Sequence, residues 1–90
     1  MAKIKFTKFG ATWCHPCKMF KPIIDEVAKD FPDVEFVDVD VDDKPDLATK
    51  NNIRSIPTYI ISDEQDNILF RGQGLASKVS ISNQLKQFVE

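Results

Sequence analysis

The spacing of apolar side chains changes several times along this chain, and this pattern constrains the fold more than any other feature. Alternating apolar residues predict β-strands, whereas apolar residues repeated every three or four positions predict amphipathic helices. The pattern predicts strands over residues 3–9, 34–41, 57–61 and 68–71, and helices over 16–30, around 45–50 and from 77 or 80 onward. This β-α-β-α-β-β-α order predicts an α/β fold, a mixed four-stranded sheet flanked by three helices.

Prolines and glycines mark the limits of several elements. Pro16 suits the first turn of the first helix, where its missing N–H is not needed, and Pro32 ends that helix. Pro22 lies inside it and removes a backbone hydrogen bond, so we expect a kink there. Gly72 and Gly74 are expected to break the last strand, which forms an antiparallel hairpin with the strand before it because the polar turn between them is short.

The short second helix needs a cap and a buried face. Asp42 or Asp43 is expected to cap its N-terminus. Leu47 and Ala48 are expected to face the core.

The size and the charge of the chain limit its function. Ninety residues make one domain, residues 1–90. The net charge of −2 does not favour binding to nucleic acid or to an anionic membrane. No apolar run approaches the ~20 residues that a membrane-spanning helix needs, and no apolar signal core precedes the first strand. We therefore expect a cytoplasmic, monomeric protein.

The two cysteines, Cys14 and Cys17, lie where the first strand gives way to the first helix. Unpaired N–H groups and the helix dipole favour a thiolate at a helix N-terminus. We expect Cys14, the more exposed, to be the nucleophile and Cys17, one turn further on, to resolve the mixed disulfide. His15 adds positive charge beside the sulfur when it is protonated, and Pro16 restricts the loop between the cysteines.

A zinc site and a purely structural disulfide are weaker interpretations of the cysteine pair. A structural zinc site needs four ligands, and His15 is the one histidine left to join the pair, so we expect no metal. A purely structural disulfide would close so short a loop that it constrains the unfolded chain little.

Three separated segments carry a family resemblance. Residues 13–18 read W-C-H-P-C-K, residues 53–58 read I-R-S-I-P-T, and Gly74 follows the last strand. They resemble the thioredoxin family, in which the first two segments read W-C-G-P-C-K and I-R-G-I-P-T. The resemblance spans most of the chain. It implies a thioredoxin fold and dithiol–disulfide exchange with protein disulfides, with no cofactor besides the cysteine pair. It also implies reduction by a flavoprotein disulfide reductase or another dithiol donor.

The resemblance also implies roles for single residues. Trp13 is expected to shield the sulfurs. Ile56 and a cis Pro57 are expected to hold the substrate backbone, with Thr58 and Gly74 in the same substrate-binding set. A proline lowers the cost of a cis bond, which exposes the Ile56 backbone for strand-like pairing. An ordinary trans proline at the start of a strand is the alternative.

The chain departs from the family pattern in its length. Typical thioredoxins begin with an additional strand and helix, so we expect a trimmed member with one sheet face partly open. Lys3, Lys5 and Thr7 fit such a face. A glutaredoxin-like carrier of similar size is the alternative, which Trp13 and Ile56 disfavour.

His15 stands where the family has glycine. Because a positive charge that stabilises the thiolate also stabilises the reduced form, we expect a more oxidising couple. The alternative is an exposed side chain that changes only the fit of the substrate.

A charge reversal is the third departure. The buried aspartate of the family aligns with Lys8, and its lysine partner aligns with Asp38. We expect Lys8 to point into the core beneath Cys17 and to pair with Asp38, because unpaired buried charges are costly. Asp38 would then accept the Cys17 proton. The alternative is that Lys8 reaches the edge of the core and Asp38 is solvated.

A binding function without redox chemistry also remains open. The chain could be a binding subunit with a thioredoxin fold, in which the cysteine pair is incidental. An intact tryptophan and an intact Ile-Pro segment favour chemistry instead.

Overall fold

A computed structural model describes residues 3–89 as an α/β fold with seven elements. The strands are β1 (Lys5–Gly10), β2 (Glu35–Asp40), β3 (Thr58–Ser62) and β4 (Ile68–Gln73), and the helices are α1 (His15–Asp30), α2 (Pro45–Lys50) and α3 (Lys78–Lys86). The strand order is β2-β1-β3-β4, with β1 parallel to β2 and antiparallel to β3, and with β3 antiparallel to β4. The element order and the mixed sheet predicted from the sequence are confirmed.

The main core lies between one face of the sheet and two helices. Its buried side chains come from β1, α1, β3 and α3, and the largest with 0–1% exposure are Phe6, Phe20, Ile61, Ile81 and Leu85. Ile4, just before β1, and Phe6 of β1 lie in this core, as their alternation predicted. Because α1 and α3 bury their apolar faces on the same side, the opposite face of the sheet is left for α2.

The second face of the sheet is thinly covered. Its buried cluster consists of Phe9, Val39 and Ile60. A cavity of about 210 Å³ lies over this face between Lys5 and Thr7 on one side and α2 on the other. These two half-buried strand residues agree with the expectation of a partly open face.

Two expectations about α2 are wrong. Lys44, rather than Asp42 or Asp43, takes the N-cap position, and it makes no side-chain capping bond. Leu47 is 38% exposed and Ala48 is half-buried, so this six-residue helix contributes no buried residue. The physical reason is that the small apolar cluster beneath α2 gives its side chains little surface to bury against.

Prolines and glycines act partly as predicted. α1 ends at Asp30, just before Pro32, and it continues through Pro22. The kink at Pro22 stays a prediction. Gly72, however, lies inside β4 instead of ending it. Gly74 follows the strand with a φ of +79°, a conformation that favours glycine.

Gly72 is required by the aromatic ring on the neighbouring strand. It is the register partner of Tyr59, whose buried ring lies across the Gly72 backbone. The Tyr59 hydroxyl donates a hydrogen bond of 2.9 Å to Gln84 of α3, and burial raises the pKa of this phenol. One tyrosine therefore ties the hairpin to the last helix, and it fits only because residue 72 has no side chain.

The hairpin turn is held by one carboxylate. Asp63 Oδ1 accepts hydrogen bonds of 2.9 Å from the backbone N–H groups of Gln65 and Asn67, and Oδ2 accepts one from the Asn67 side chain. The bonds from Asn67 are the main reason that the pKa of Asp63 is lowered. This turn closes β3 and β4 as the polar run 63–67 predicted.

No helix within residues 3–89 is both long enough and apolar enough to cross a membrane.

We predict that Gly72→Ala lowers the free energy of unfolding by about 1–3 kcal/mol, the range typical of overpacking in a core. A Cβ at residue 72 would lie 2.6 Å from the Tyr59 hydroxyl oxygen, so the ring must move. Denaturant unfolding measures the loss, and Gln73→Ala, at the exposed neighbouring position, is the control. Equal stability of Gly72→Ala and the parent protein would contradict the packing argument.

Candidate active site

The cysteine pair lies at the N-terminus of α1. Cys14 is the N-cap residue, with extended φ and ψ of −87° and 108°. Its Sγ accepts a hydrogen bond of 3.3 Å from the backbone N–H of Cys17. The two cysteines form a disulfide with a Cα–Cα distance of 5.3 Å. The sequence places a sulfur where a serine or aspartate usually caps a helix, so free N–H groups and the helix dipole act on Cys14.

Exposure does not distinguish the two sulfurs as we expected. Cys14 is 5% exposed and Cys17 is 4% exposed. The difference between them lies in hydrogen bonding, because the Cys17 N–H points at Cys14 Sγ and stabilises a thiolate there. The assignment of Cys14 as nucleophile stays a prediction, and it now depends on this bond.

Apolar side chains surround the disulfide. Both cysteines share a buried cluster with Ala11, against which Val41 and Ile56 pack. Val41 follows β2 directly, so the parallel pairing of β2 with β1 brings it to the same end of the sheet as the cysteines. This strand pairing joins residues that are far apart in the sequence, so local residue spacing does not predict it.

Trp13 forms one wall of a groove beside the disulfide. The indole is 67% exposed, and its Nε1 donates a hydrogen bond of 2.7 Å to Asp42 Oδ2. A cavity of about 260 Å³ lies between this indole and the loop of Arg54 and Ile56. Asp42 therefore serves the site instead of capping α2. Shielding of the sulfurs by Trp13 stays a prediction.

The loop before β3 provides the other wall of the groove. The peptide bond between Ile56 and Pro57 is cis, as the resemblance implied. The Thr58 hydroxyl donates a hydrogen bond of 2.7 Å to the Ser55 carbonyl, and the Gly74 N–H donates one of 2.8 Å to the Pro57 carbonyl.

Thr58 is fully buried. Its exposure is 0% and its side chain holds the loop through the bond to Ser55, so its place in the substrate-binding set stays a prediction. Gly74 has open space around the position of a missing side chain.

Lys8 and Asp38 pair as the charge reversal predicted, but only one of them is buried. They are register partners on β1 and β2, with 3.4 Å between Lys8 Nζ and Asp38 Oδ1. The Lys8 side chain is 9% exposed and the Asp38 side chain is 64% exposed. The reason is the strand order, since β1 is central and β2 is an edge strand. The expectation of two buried charges is therefore wrong for Asp38.

Lys8 and Asp38 share a cavity with the second cysteine. This space of about 280 Å³ is lined by Lys8, Gly10, Cys17 and Asp38, among others. A Cβ on Gly10 would lie 3.1 Å from Cys17 Sγ and 3.8 Å from Lys8 Cε, so both atoms surround one point above the glycine. A side chain at residue 10 would therefore crowd Cys17, so Gly10 allows the helix start to lie close to the end of β1, a role that the sequence analysis missed.

Within residues 3–89 no group of three or more His, Cys, Asp or Glu side chains is arranged to hold a metal ion.

Comparison with known proteins identifies the family. The thioredoxin family model matches residues 2–87. The chain belongs to the thioredoxin family. It is 33% identical over 89 residues to a thioredoxin from Ophiophagus hannah, a match that covers 98% of this chain and 82% of that protein. A shorter match to a thioredoxin from Gallus gallus is 44% identical over 57 residues and covers 63% of this chain and 54% of that protein.

Solved thioredoxin structures have the same fold. A thioredoxin from Nicotiana alata superimposes with a TM-score of 0.90 at 32% identity, covering 100% of this chain and 76% of that one. The oxidised form of mitochondrial thioredoxin 3 from Saccharomyces cerevisiae superimposes with a TM-score of 0.85 at 30% identity, and the match covers 96% of this chain and 79% of that one. Together with the cysteine pair, these relatives show a thiol–disulfide oxidoreductase with a thioredoxin fold.

We predict that Asp42→Ala weakens substrate reduction by this thioredoxin-family protein, because the indole of Trp13 loses its anchor. A hydrogen bond in so exposed a position contributes about 0.5–1.5 kcal/mol, so kcat/KM should fall about two- to tenfold. The chain has one tryptophan, so its fluorescence anisotropy reports the mobility of this indole directly. Asp43→Ala removes a neighbouring exposed carboxylate as the control. Unchanged anisotropy and activity in Asp42→Ala would show that the bond is dispensable.

Proposed function

We propose that this protein carries electrons from a dithiol donor to disulfides in other proteins, and so takes part in electron transport and cell redox homeostasis. The observation that carries the proposal is the position of Cys14 Sγ at the N-cap of α1, where it accepts a hydrogen bond from the backbone N–H of Cys17. A sulfur in that position is favoured as a thiolate, which is the reactive form in disulfide exchange. The Cys14–Cys17 disulfide is the redox group, and the proposed chemistry needs no other cofactor.

The reaction is two successive thiol–disulfide exchanges. The Cys14 thiolate attacks one sulfur of the substrate disulfide, and the other substrate sulfur leaves as a thiolate. Cys17 loses its proton and attacks Cys14 Sγ. The Cys14–Cys17 disulfide then forms, the bond between Cys14 and the substrate breaks, and the second substrate thiolate leaves. Two electrons pass from the cysteine pair to the substrate, and the two substrate thiolates take protons from solvent.

The groove suits a substrate segment that approaches the disulfide in an extended conformation. Trp13 forms one wall of the groove. Ile56 lines the groove and also packs against the cysteine cluster. We propose that the backbone of Ile56 pairs with the substrate backbone, as the strand-like mode of peptide recognition requires.

Thioredoxins act on protein disulfides, and a similar structure indicates which kind of protein disulfide could be the substrate of this chain. One similar structure, with a TM-score of 0.85 at 29% identity, belongs to a study of the thiol resolving mechanism in yeast mitochondrial 1-Cys peroxiredoxin via glutathione/thioredoxin systems. We propose oxidised cysteine enzymes of that kind as substrates, a flavoprotein disulfide reductase or another dithiol as donor, and action as a monomer. The cytoplasmic location stays a prediction, since one relative is a mitochondrial thioredoxin.

Reduction of insulin disulfides with dithiothreitol as the donor tests the proposed function. We expect Cys14→Ser to reduce the rate to that of dithiothreitol alone. We expect Cys17→Ser, but not Cys14→Ser, to accumulate a covalent mixed disulfide with the substrate, visible on a non-reducing gel. Full activity of Cys14→Ser would instead indicate a binding subunit with an incidental cysteine pair. Equal trapping by both variants would refute the division of roles.

His15 is expected to make the couple more oxidising. The side chain is exposed at the first position of α1, beside Cys14. A partly exposed charge interaction is worth up to about 1 kcal/mol, and about 30 mV corresponds to 1.4 kcal/mol. The redox potential of His15→Gly should therefore lie about 20 mV lower, measured against glutathione. Identical potentials of the parent protein and His15→Gly would sink the idea.

A further inference from the structure

The sheet face beneath α2 carries a cavity that the proposed redox chemistry does not use. This cavity of about 210 Å³ is lined mainly by residues of α2 and of the neighbouring strands β2, β1 and β3. Neither cysteine lines it, and its walls belong to the sheet face opposite the main core. Because an apolar cavity of about 150 Å³ is large enough to hold benzene, this one has room for an aromatic ring or a short aliphatic chain.

One end of the cavity is apolar. Its floor consists of three buried residues on neighbouring strands, Phe9, Val39 and Ile60. Leu47 of α2 forms the opposite wall and is 38% exposed. An apolar group that enters between this leucine and the floor removes apolar surface from water on both sides, which is favourable. This end of the cavity therefore suits the apolar body of a ligand.

The other end of the cavity carries hydrogen-bond donors. Lys5 and Ser62 are register partners on β1 and β3, and Thr7 lies two residues further along β1 on the same face. All three residues line the cavity. Ser62 is only 5% exposed, although serine is mostly exposed in proteins. Because ammonium and hydroxyl groups both donate hydrogen bonds, this end suits an acceptor group such as a carboxylate.

The charges that line the cavity also favour an anion. Lys5 and Lys50 contribute two cations, and Asp66 contributes one carboxylate. Asp66 accepts a hydrogen bond of 3.1 Å from Lys5 Nζ, but its side chain is 76% exposed, so water screens its charge. Lys50 forms no ion pair with another residue within 3–89. An anion in the cavity therefore meets one unpaired cation and a second cation that Asp66 neutralises only in part.

We propose that this cavity is a binding site for a small organic carboxylate that carries one aromatic ring or a short aliphatic chain. The apolar body of the free ligand lies between Leu47 and the apolar floor. Its carboxylate pairs with Lys50 and accepts hydrogen bonds from the donors at the polar end, Lys5, Thr7 and Ser62. The proposal goes beyond the redox function, because no step of the disulfide exchange uses these residues.

Titration with hydrocinnamate, a phenyl ring on a short chain that ends in a carboxylate, tests the proposal. Two-dimensional amide NMR spectra report where the probe binds, and we expect shifts at Thr7, Leu47 and Ser62. A ligand of about ten non-hydrogen atoms should bind with a dissociation constant on the order of 1 mM. The uncharged amide of hydrocinnamate is the control probe. It should bind about threefold more weakly, within the range that an exposed charge pair contributes.

Two charge variants should change the affinity for hydrocinnamate in opposite directions. Asp66→Asn removes the carboxylate that competes for Lys5, so we expect binding to tighten about threefold. Asparagine tolerates the φ of 64° at residue 66. Lys50→Gln removes the unpaired cation, so we expect binding to weaken about threefold. Lys44→Gln is the matched control, because this exposed lysine at the N-cap of α2 does not line the cavity.

Leu47→Asp tests the apolar end of the cavity. It removes the wall that covers the ligand and adds a negative charge there, so we expect binding to weaken about tenfold or more. Val79→Asp makes the same change at an exposed apolar position of α3, outside the cavity, and should leave binding unchanged. Because Leu47 and Val79 are both exposed, both variants should fold, and circular dichroism checks this.

Several outcomes would overturn the proposed site. Equal affinity for hydrocinnamate and its amide would refute the preference for an anion. Shifts confined to the groove of Trp13 and Ile56 would place the probe elsewhere. Shifts at Thr7, Leu47 and Ser62 on raising the protein concentration without probe would show that a second copy covers this face. Cys14→Ser should bind hydrocinnamate normally, so failure of the proposed redox function would leave this inference standing, and the reverse also holds.

Discussion

The close contact between the start of α1 and the end of β1 is the constraint on which the site depends. Gly10 ends β1, and Cys17 Sγ lies so near its backbone that a Cβ there would be 3.1 Å away. The apolar face of α1 holds the helix on the sheet through Phe20 and Val27, both with 0% exposure. These contacts fix α1 on the sheet, so Cys14 at its N-cap lies near the end of β1.

Three separated segments converge on that helix end because β1, β2 and β3 are neighbours at one end of the sheet. Val41 and Asp42 directly follow β2, and Ile56 lies in the loop before β3. Each segment is also fixed by its own polar contact, namely Asp42 with the Trp13 indole and Thr58 with the Ser55 carbonyl. The groove is therefore held by the same backbone pairing that builds the core, which limits how much entropy a substrate must remove on binding.

The sequence predicted the elements and the cysteine chemistry because both are local properties. Apolar periodicity records which side of an element is buried, and a Cys-x-x-Cys pair at a helix start needs only neighbouring residues. The errors concern long-range contacts. Local spacing makes Asp42 a candidate cap, but its actual partner, Trp13, is 29 residues away along the chain. A glycine near a strand end predicts a break, but the neighbouring strand places Tyr59 against Gly72 and keeps it inside β4. The exposure of Asp38 follows from strand order, which spacing along the chain does not specify.

Two charged features lie near the cysteines. The helix N-terminus and His15 act on Cys14 without a compensating carboxylate, so they change the free energy of the reduced form and hence the redox potential. Lys8 and Asp38 form a pair without net charge at 3.4 Å. The Lys8 side chain is 9% exposed and the Asp38 side chain is 64% exposed, so water screens the carboxylate more than the ammonium. The ammonium therefore acts on the buried cysteine cluster more strongly than the carboxylate does, and it favours a thiolate there. The helix N-terminus, His15 and Lys8 thus act in the same direction, toward the reduced form of the cysteine pair.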